Sequence, residues 1–149
     1  MLKTRTALFA SAAALLTAAL PALATNTMGE GGRKLSATLS GAAEVPGPGD
    51  TDGRGTFTAR VNPGQNQVCY TLNVRMIATA TGAHIHKGAR GVAGPVVVAL
   101  KAPANGASQA CATVTHDLAM ALIKDPQDYY ANVHNAAFPS GAIRGQLAK

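Results

Sequence analysis

The chain has 149 residues, with 13 Lys and Arg against 7 Asp and Glu, a formal net charge of +6, two cysteines and no tryptophan. This length allows one domain with a substantial core rather than two. The basic residues are scattered singly and no stripe of aromatic residues accompanies them, so the composition argues against a nucleic-acid-binding protein.

The first 24 residues have the features of a secretory signal peptide. Residues 1–6 form a short basic head, residues 7–20 an apolar run rich in Ala and Leu, and residues 21–24 a small-residue cleavage motif. The apolar run is too short to span a bilayer, and no later stretch is long enough for a membrane helix. We therefore expect cleavage near Ala24, a secreted or periplasmic location and no membrane span in the mature chain.

The remainder is expected to comprise a flexible lead-in, residues 25–33, and one domain, residues 34–149. The domain is rich in Gly and Pro, which disfavours a helical bundle and suits short strands joined by turns. Alternating polar and apolar residues predict strands at residues 35–39, 55–61, 67–75, 83–87, 109–115, 129–134 and 142–147. The unbroken apolar run of residues 95–100 predicts a further strand, buried on both faces.

One helix is predicted at residues 116–124, with Thr115 as its N-cap and Pro126 just beyond its end. About eight strands and one short helix indicate an all-β protein, an antiparallel Greek-key sandwich or barrel. Its core is expected to include Val68, Tyr70, Leu72, Val74, Val96, Val98, Val133 and Ile143.

The same alternation places both cysteines on outward faces of their strands. Cys69 lies opposite the apolar face of residues 67–75, and Cys111 lies opposite the apolar set of residues 109–115. In an exported protein, two outward cysteines on strands predict a cross-strand disulfide. The alternative, two separate small hydrophobic side chains, would require a reducing compartment.

Three of the four histidines are predicted to share the outer surface of the sheet. His84 and His86 are two residues apart on a strand, so their side chains lie on one face, about 6.5–7 Å apart. His134 ends a strand whose outward residues also include Tyr130 and Asn132. A histidine pair with a third histidine from a distant strand suits copper or zinc, although solvated imidazoles on an exposed strand have the same spacing.

The fourth histidine, His116, is predicted to be a surface residue in the first helical turn rather than a ligand. Other catalytic motifs are missing from the sequence: it has no Ser-centred elbow, CxxC, P-loop or HExxH motif, and no pair of carboxylates at glycosidase spacing.

Several segments resemble the CHRD (chordin-type) domain. They are residues 39–46 (LSGAAEVP), 83–88 (AHIHKG), 94–97 (GPVV), 129–134 (YYANVH) and 138–147 (FPSGAIRGQL). The resemblance covers about residues 35–147, and the block nearest the C-terminus is its longest and most specific part. It implies an extracytoplasmic β domain, but it does not define a biochemical activity.

A weaker resemblance is to copper/zinc superoxide dismutase. His84 and His86 match that family's HxH motif, His134 its late copper histidine, and Arg144 the arginine that follows. Because no zinc-binding loop is recognisable, the resemblance implies a copper-only site that disproportionates superoxide, with Arg144 as a catalytic residue. Lys87 and Arg90 would add positive potential that attracts the anion.

Three hypotheses of different classes follow. The protein is a copper enzyme of the superoxide dismutase type, a non-catalytic periplasmic copper carrier, or an extracellular binding module whose histidines are structural. The missing second metal motif favours the carrier and the binding module. The three histidines followed by an arginine favour the enzyme and the carrier.

Overall fold

The computed structural model describes residues 31–149, so the predicted signal peptide and most of the predicted lead-in lie outside the described residues. The elements in chain order are β1 (Arg33–Ser40), β2 (Arg54–Asn62), β3 (Gln67–Arg75), β4 (Ala80–Lys87), β5 (Val96–Leu100), β6 (Ala107–Thr113), α1 (His116–Lys124), β7 (Tyr129–Asn135) and β8 (Ile143–Gln146).

The strands form one antiparallel sheet in the order β5-β4-β7-β8-β1-β2-β3-β6. The first three strands follow one another as a meander. The pairs β3–β6, β4–β7 and β8–β1 join strands that are distant in sequence, which is the connectivity of a Greek key. The predicted all-β antiparallel barrel or sandwich with one short helix is therefore confirmed.

The sheet curls until its two edge strands, β5 and β6, approach each other. The Ser108 hydroxyl donates to the Lys101 carbonyl at 2.7 Å, and the Lys101 amide donates to the Tyr70 hydroxyl at 2.6 Å. These side-chain bonds link the C-terminal end of β5 to β3 and β6, while β5 and β6 themselves are not paired as strands. The result is a nearly closed barrel with one seam.

The side chains of alternate strand residues fill the barrel interior. In β2 every second residue is buried, and in β3 the predicted residues Val68, Tyr70 and Leu72 are buried while Val74 is partly buried. The predicted core residues Val98, Val133 and Ile143 are buried as well.

The prediction for Val96 is wrong, because its side chain is 50% exposed. The unbroken apolar run of residues 95–100 had suggested a strand buried on both faces. The register of β5 against β4 shifts at this point, because Ile85 pairs with Val98 and the next residue, His86, pairs with Val96. Val96 therefore lies on the outer face beside His86, whereas Val98 is buried.

Helix α1 has the predicted bounds and the predicted cap. The Thr115 hydroxyl accepts a hydrogen bond from the Leu118 amide, which satisfies one of the free N–H groups of the first turn. Ala119 and Leu122 turn inward to the core. Within residues 31–149, no helix has the length and apolar character needed to cross a membrane.

The predicted disulfide is confirmed. Cys69 of β3 and Cys111 of β6 are direct partners in the strand register, and their sulfur atoms are bonded. The bond ties the edge strand β6 to β3 and closes a sequence separation of 42 residues.

We expect no free thiol in the unfolded, non-reduced protein, and a lower free energy of unfolding in the Cys69→Ser/Cys111→Ser variant. Closing a loop of this length stabilises a fold by about 3–4 kcal/mol in the chain-entropy account. Thiol titration and urea denaturation test the two statements. Two titratable thiols, or equal unfolding free energies, would contradict them.

Candidate metal centre

The pairing of β4 with β7 brings the three predicted ligands together. His84 is directly opposite Asn132, and Gly82 is directly opposite His134, so His84 and His134 are diagonal neighbours on the same face. His86 lies two residues further along β4, on that face as well. One nitrogen atom from each ring lies within 4.8 Å of the other two, so the group could hold a metal ion.

Hydrogen bonds to backbone carbonyls indicate which nitrogen of each ring is free. His86 Nδ1 lies 2.8 Å from the Gly94 carbonyl oxygen, and His134 Nδ1 lies 3.0 Å from the Pro139 carbonyl oxygen. A carbonyl only accepts, so each Nδ1 carries the proton and each Nε2 has a free lone pair. His86 Nε2 is buried and has no hydrogen-bond partner among residues 31–149.

In His84 the nitrogen that faces the other two histidines is Nδ1 rather than Nε2. His84 Nδ1 lies 3.1 Å from His134 Nε2. In this contact His84 Nδ1–H donates to His134 Nε2, and a bound metal would replace that proton. The three nitrogens that converge are therefore His84 Nδ1, His86 Nε2 and His134 Nε2. Because burial lowers the pKa of His84 and of His134 below the ordinary value for histidine, these two rings favour the neutral, metal-binding form near pH 7.

The segment between β4 and β5, residues 88–95, supplies the carbonyl that orients His86. Gly94 packs against the Lys87 carbonyl so closely that a Cβ atom at this position would overlap it. A glycine is thus needed for the backbone to approach β4 and to present its oxygen to His86. The Tyr130 hydroxyl holds the same glycine, because it accepts from the Gly94 amide at 3.1 Å.

A stack of side chains extends from His86 into the protein. The rings of His86 and Tyr130 are nearly parallel, with an interplanar angle of 7° and centroids 4.8 Å apart. The Arg144 guanidinium carbon lies 3.4 Å from the centre of the Tyr130 ring. Since β4 and β8 flank β7 on opposite sides, His86 and Arg144 cover opposite faces of the tyrosine.

Arg144, the arginine that the second resemblance matched, lies on β8, the strand beside that of His134. It pairs with Asn132 on β7. Its side chain is on the outer face of the sheet, yet it is only 1% exposed, because residues 88–95 cover it. One guanidinium nitrogen, Nη2, donates to the Ala89 carbonyl at 2.9 Å, and the other, Nη1, finds no partner in the described part of the chain.

Tyr130 and Asn132, which were predicted to face outward, are buried under the segments that cover this part of the sheet. Lys87 and Arg90 are exposed near the site, as a role in attracting anions would need. His116 is not in the histidine group: it is exposed, and its Nδ1 lies 3.2 Å from the Pro63 carbonyl oxygen.

Glu44 is a buried acid that no spacing of carboxylates in the sequence singles out. Its carboxylate accepts a hydrogen bond from Asn132 Nδ2 at 3.3 Å and packs against Gly141, whose φ of +146° is accessible mainly to glycine. Burial raises the pKa of Glu44 to about 7, although its bond to Asn132 and the charge of Arg144 oppose the shift. In the sequence, the one feature that could have drawn attention to Glu44 is its place in the Glu-Val-Pro part of the CHRD-like segment, residues 39–46.

We expect Glu44→Gln to change how stability depends on pH. The folded protein retains the Glu44 proton up to about pH 7, whereas the unfolded chain releases it near 4.5, so the stabilisation from protonated Glu44 is full below pH 4.5 and is lost as the pH rises through 7. The glutamine variant should therefore gain stability relative to the wild type as the pH rises from about 5 to about 8.

Urea denaturation of the metal-free proteins across this pH range measures the effect, with Asp117→Asn as the control. Asp117 is an exposed carboxylate in the first turn of α1, so its substitution removes one acidic side chain without changing the buried site around Glu44. Parallel curves for the wild type and Glu44→Gln would contradict the expectation.

Comparison with known proteins identifies the family. No match was found among the curated proteins or among the solved structures with which the chain was compared. The model of one family, the CHRD domain, matches residues 35–147, which include all three histidines and every strand of the barrel except the start of β1. The chain therefore belongs to the CHRD domain family.

Proposed function

We propose that this CHRD-domain protein is exported and binds one copper ion through His84, His86 and His134. The single observation that supports this most strongly is the buried His86 Nε2, which has no hydrogen-bond partner within residues 31–149 and belongs to a group of three neighbouring imidazoles. A buried nitrogen with a free lone pair is costly unless something occupies it. A metal ion bound there would satisfy all three nitrogens at once.

The composition of the group favours copper over other divalent metals. It consists of imidazole alone, because both cysteines are in the disulfide and the histidine group contains no carboxylate. Imidazole suits copper and zinc, and in the general order of affinities Cu²⁺ binds most tightly. Structural zinc sites use four protein ligands, one more than this group supplies, whereas catalytic zinc sites use three, so the order of affinities is the argument for copper.

The carbonyls of Gly94 and Pro139 would act as the outer shell of the site. Each holds the Nδ1–H of a ligand ring, which sets the tautomer and the ring orientation before a metal arrives. Export is supported by the signal-peptide features of residues 1–24 and by the disulfide, since disulfides persist in oxidising compartments.

We expect the purified protein to bind one equivalent of Cu²⁺ tightly, with an electron paramagnetic resonance spectrum typical of nitrogen ligands. His84→Ala, His86→Ala and His134→Ala should each abolish tight binding, because each removes one of three ligands. His116→Ala, which removes the fourth histidine, is the matched control and should bind like the wild type.

Competition with Zn²⁺ tests the identity of the metal, and copper should displace zinc. Equal losses in all four histidine variants, or undiminished binding by His134→Ala, would show that the ligands are assigned wrongly. Failure of the wild type to bind copper would favour the binding-module hypothesis.

The second candidate function is superoxide dismutation by the copper-loaded protein. It is favoured by the cations around the site: Lys87 and Arg90 are exposed, and Arg144 keeps one guanidinium nitrogen without a partner among the described residues. Bound copper would supply the one-electron redox cycle that converts superoxide to oxygen and peroxide. Lys87 and Arg90 would raise the local concentration of the anion through their positive potential.

Arg144 would act from a less polar position than these two. Burial lowers its pKa, but an arginine remains protonated in proteins. A charge in a buried site is screened less by salt than one at the surface, so its field at the histidines would persist at higher ionic strength. Its position against Tyr130, which stacks on His86, also supports the ring that would bind the metal.

We expect the copper-loaded protein to disproportionate superoxide faster than the metal-free protein when a chelator removes free copper. Arg144→Gln, which removes the charge, should lower the rate at low and at high ionic strength alike, because this buried charge is little screened by salt, while leaving copper affinity almost unchanged. Arg144→Lys keeps the charge and should retain more of the rate.

The rate is measured with a superoxide-consumption assay, and folding of each variant is checked by circular dichroism. If the copper-loaded wild type is no faster than the metal-free protein, the non-catalytic copper carrier is the better description.

A further inference from the structure

A second surface with an unusual charge pattern lies on another part of the barrel. It is the outer face of β1, β2, β3 and β6, and we call it the basic face. Its charged side chains are Lys34, Arg54, Arg60 and Arg75, all exposed. The outward residues of these four strands include no acidic side chain.

The four cations are arranged as two like-charge pairs. Lys34 is directly opposite Arg60 across β1 and β2, and Arg54 is directly opposite Arg75 across β2 and β3. Like charges directly opposite each other destabilise an antiparallel pair. Each of the two like-charge pairs therefore lowers the stability of the sheet, a cost that uncharged polar residues at these positions would avoid.

The surface between the two pairs is polar and uncharged. The outward residues there include Ser36, Thr38, Thr56, Thr58, Thr71, Asn73 and Gln109. Arg54 and Arg60 stand near opposite ends of β2, a separation of about 20 Å along the strand. The basic face thus presents positive charge at both ends of a row of hydroxyl and amide groups.

Shallow depressions lie at both ends of this row. One of about 190 Å³ is lined by Lys34 and Arg60, and another of about 410 Å³ by Arg54 and Arg75. A third, of about 630 Å³, extends the first end and adds Arg33. An elongated ligand lying along β2 would therefore meet concave, basic surface at each end.

We propose that the basic face binds a linear acidic polysaccharide. Carboxylate or sulfate groups would pair with the two sets of cations, and the hydroxyl and amide side chains between them would donate to and accept from sugar hydroxyls. No aromatic side chain faces outward from these four strands, so the stacking platform that single-stranded nucleic acid needs is missing here. The central strand of this face, β2, is separated from β4 by β7, β8 and β1, and the face does not depend on the proposed copper site.

The test uses the metal-free protein and polygalacturonate as the probe, with binding measured by isothermal titration calorimetry at low and moderate salt. We expect binding that weakens with salt. Arg60→Gln/Arg75→Gln removes one cation from each pair and should weaken binding about tenfold, given the modest worth of each exposed ion pair. Lys34→Gln/Arg54→Gln removes the other two and should have the same effect.

The matched control is Lys87→Gln/Arg90→Gln, which removes the same charge from outside the basic face and should leave polygalacturonate binding unchanged. Thermal denaturation distinguishes a loss of binding from a loss of folding. Removing the like-charge pairs should raise the melting temperature of both basic-face variants, so weaker binding by these variants would not result from unfolding.

An equal loss of binding in the control would show that only net charge matters and would overturn the proposal. Tighter binding to double-stranded DNA or to anionic phosphatidylglycerol vesicles than to polygalacturonate would also overturn it, as would equal binding to neutral dextran. Because no metal is present in these measurements, their outcome is separate from that of the copper experiments.

Discussion

The register between β4 and β7 is the constraint on which the histidine site depends. His134 lies opposite Gly82 rather than opposite either histidine of β4, so its ring reaches diagonally over an uncrowded position toward His84. A side chain larger than glycine at position 82 would enter the space beside both rings. A shift of one residue in this pairing would turn one histidine strand toward the core and separate the group.

The rings are oriented by backbone from outside the two strands. Residues 88–95 provide one carbonyl acceptor and the turn before β8 provides the other. Arg144 and Gln146 of β8 hold the first of these segments through bonds to the Ala89 and Gly88 carbonyls. A polar layer is thus buried on the outside of the barrel, between the sheet and the segments that cover it, and it connects β8 to the histidines.

Alternation along the strands predicted the disulfide partners Cys69 and Cys111 and the outward direction of the histidines, but not the face of Val96, which a register shift in β5 turns outward. It was not sufficient to predict burial. Arg144 and Val96 both lie on the outer face, yet the arginine is covered and the valine is exposed. Residues 88–95 run over Arg144, and the register shift in β5 leaves Val96 on the outer face; a periodic pattern encodes neither the path of a loop nor a register shift. The burial of Glu44 was also missed, because it lies in the segment between β1 and β2, where no strand alternation applies.

The contact between Tyr130 and His86 has a consequence for spectroscopy. The chain has three tyrosines and no tryptophan, so tyrosine dominates its intrinsic fluorescence. One of these three rings lies flat against a histidine of the candidate centre. An ion bound there would be close enough to alter the excited state of that ring, and a paramagnetic ion would quench its emission. Occupancy of the site would then be readable without a label, from the light emitted by the protein itself.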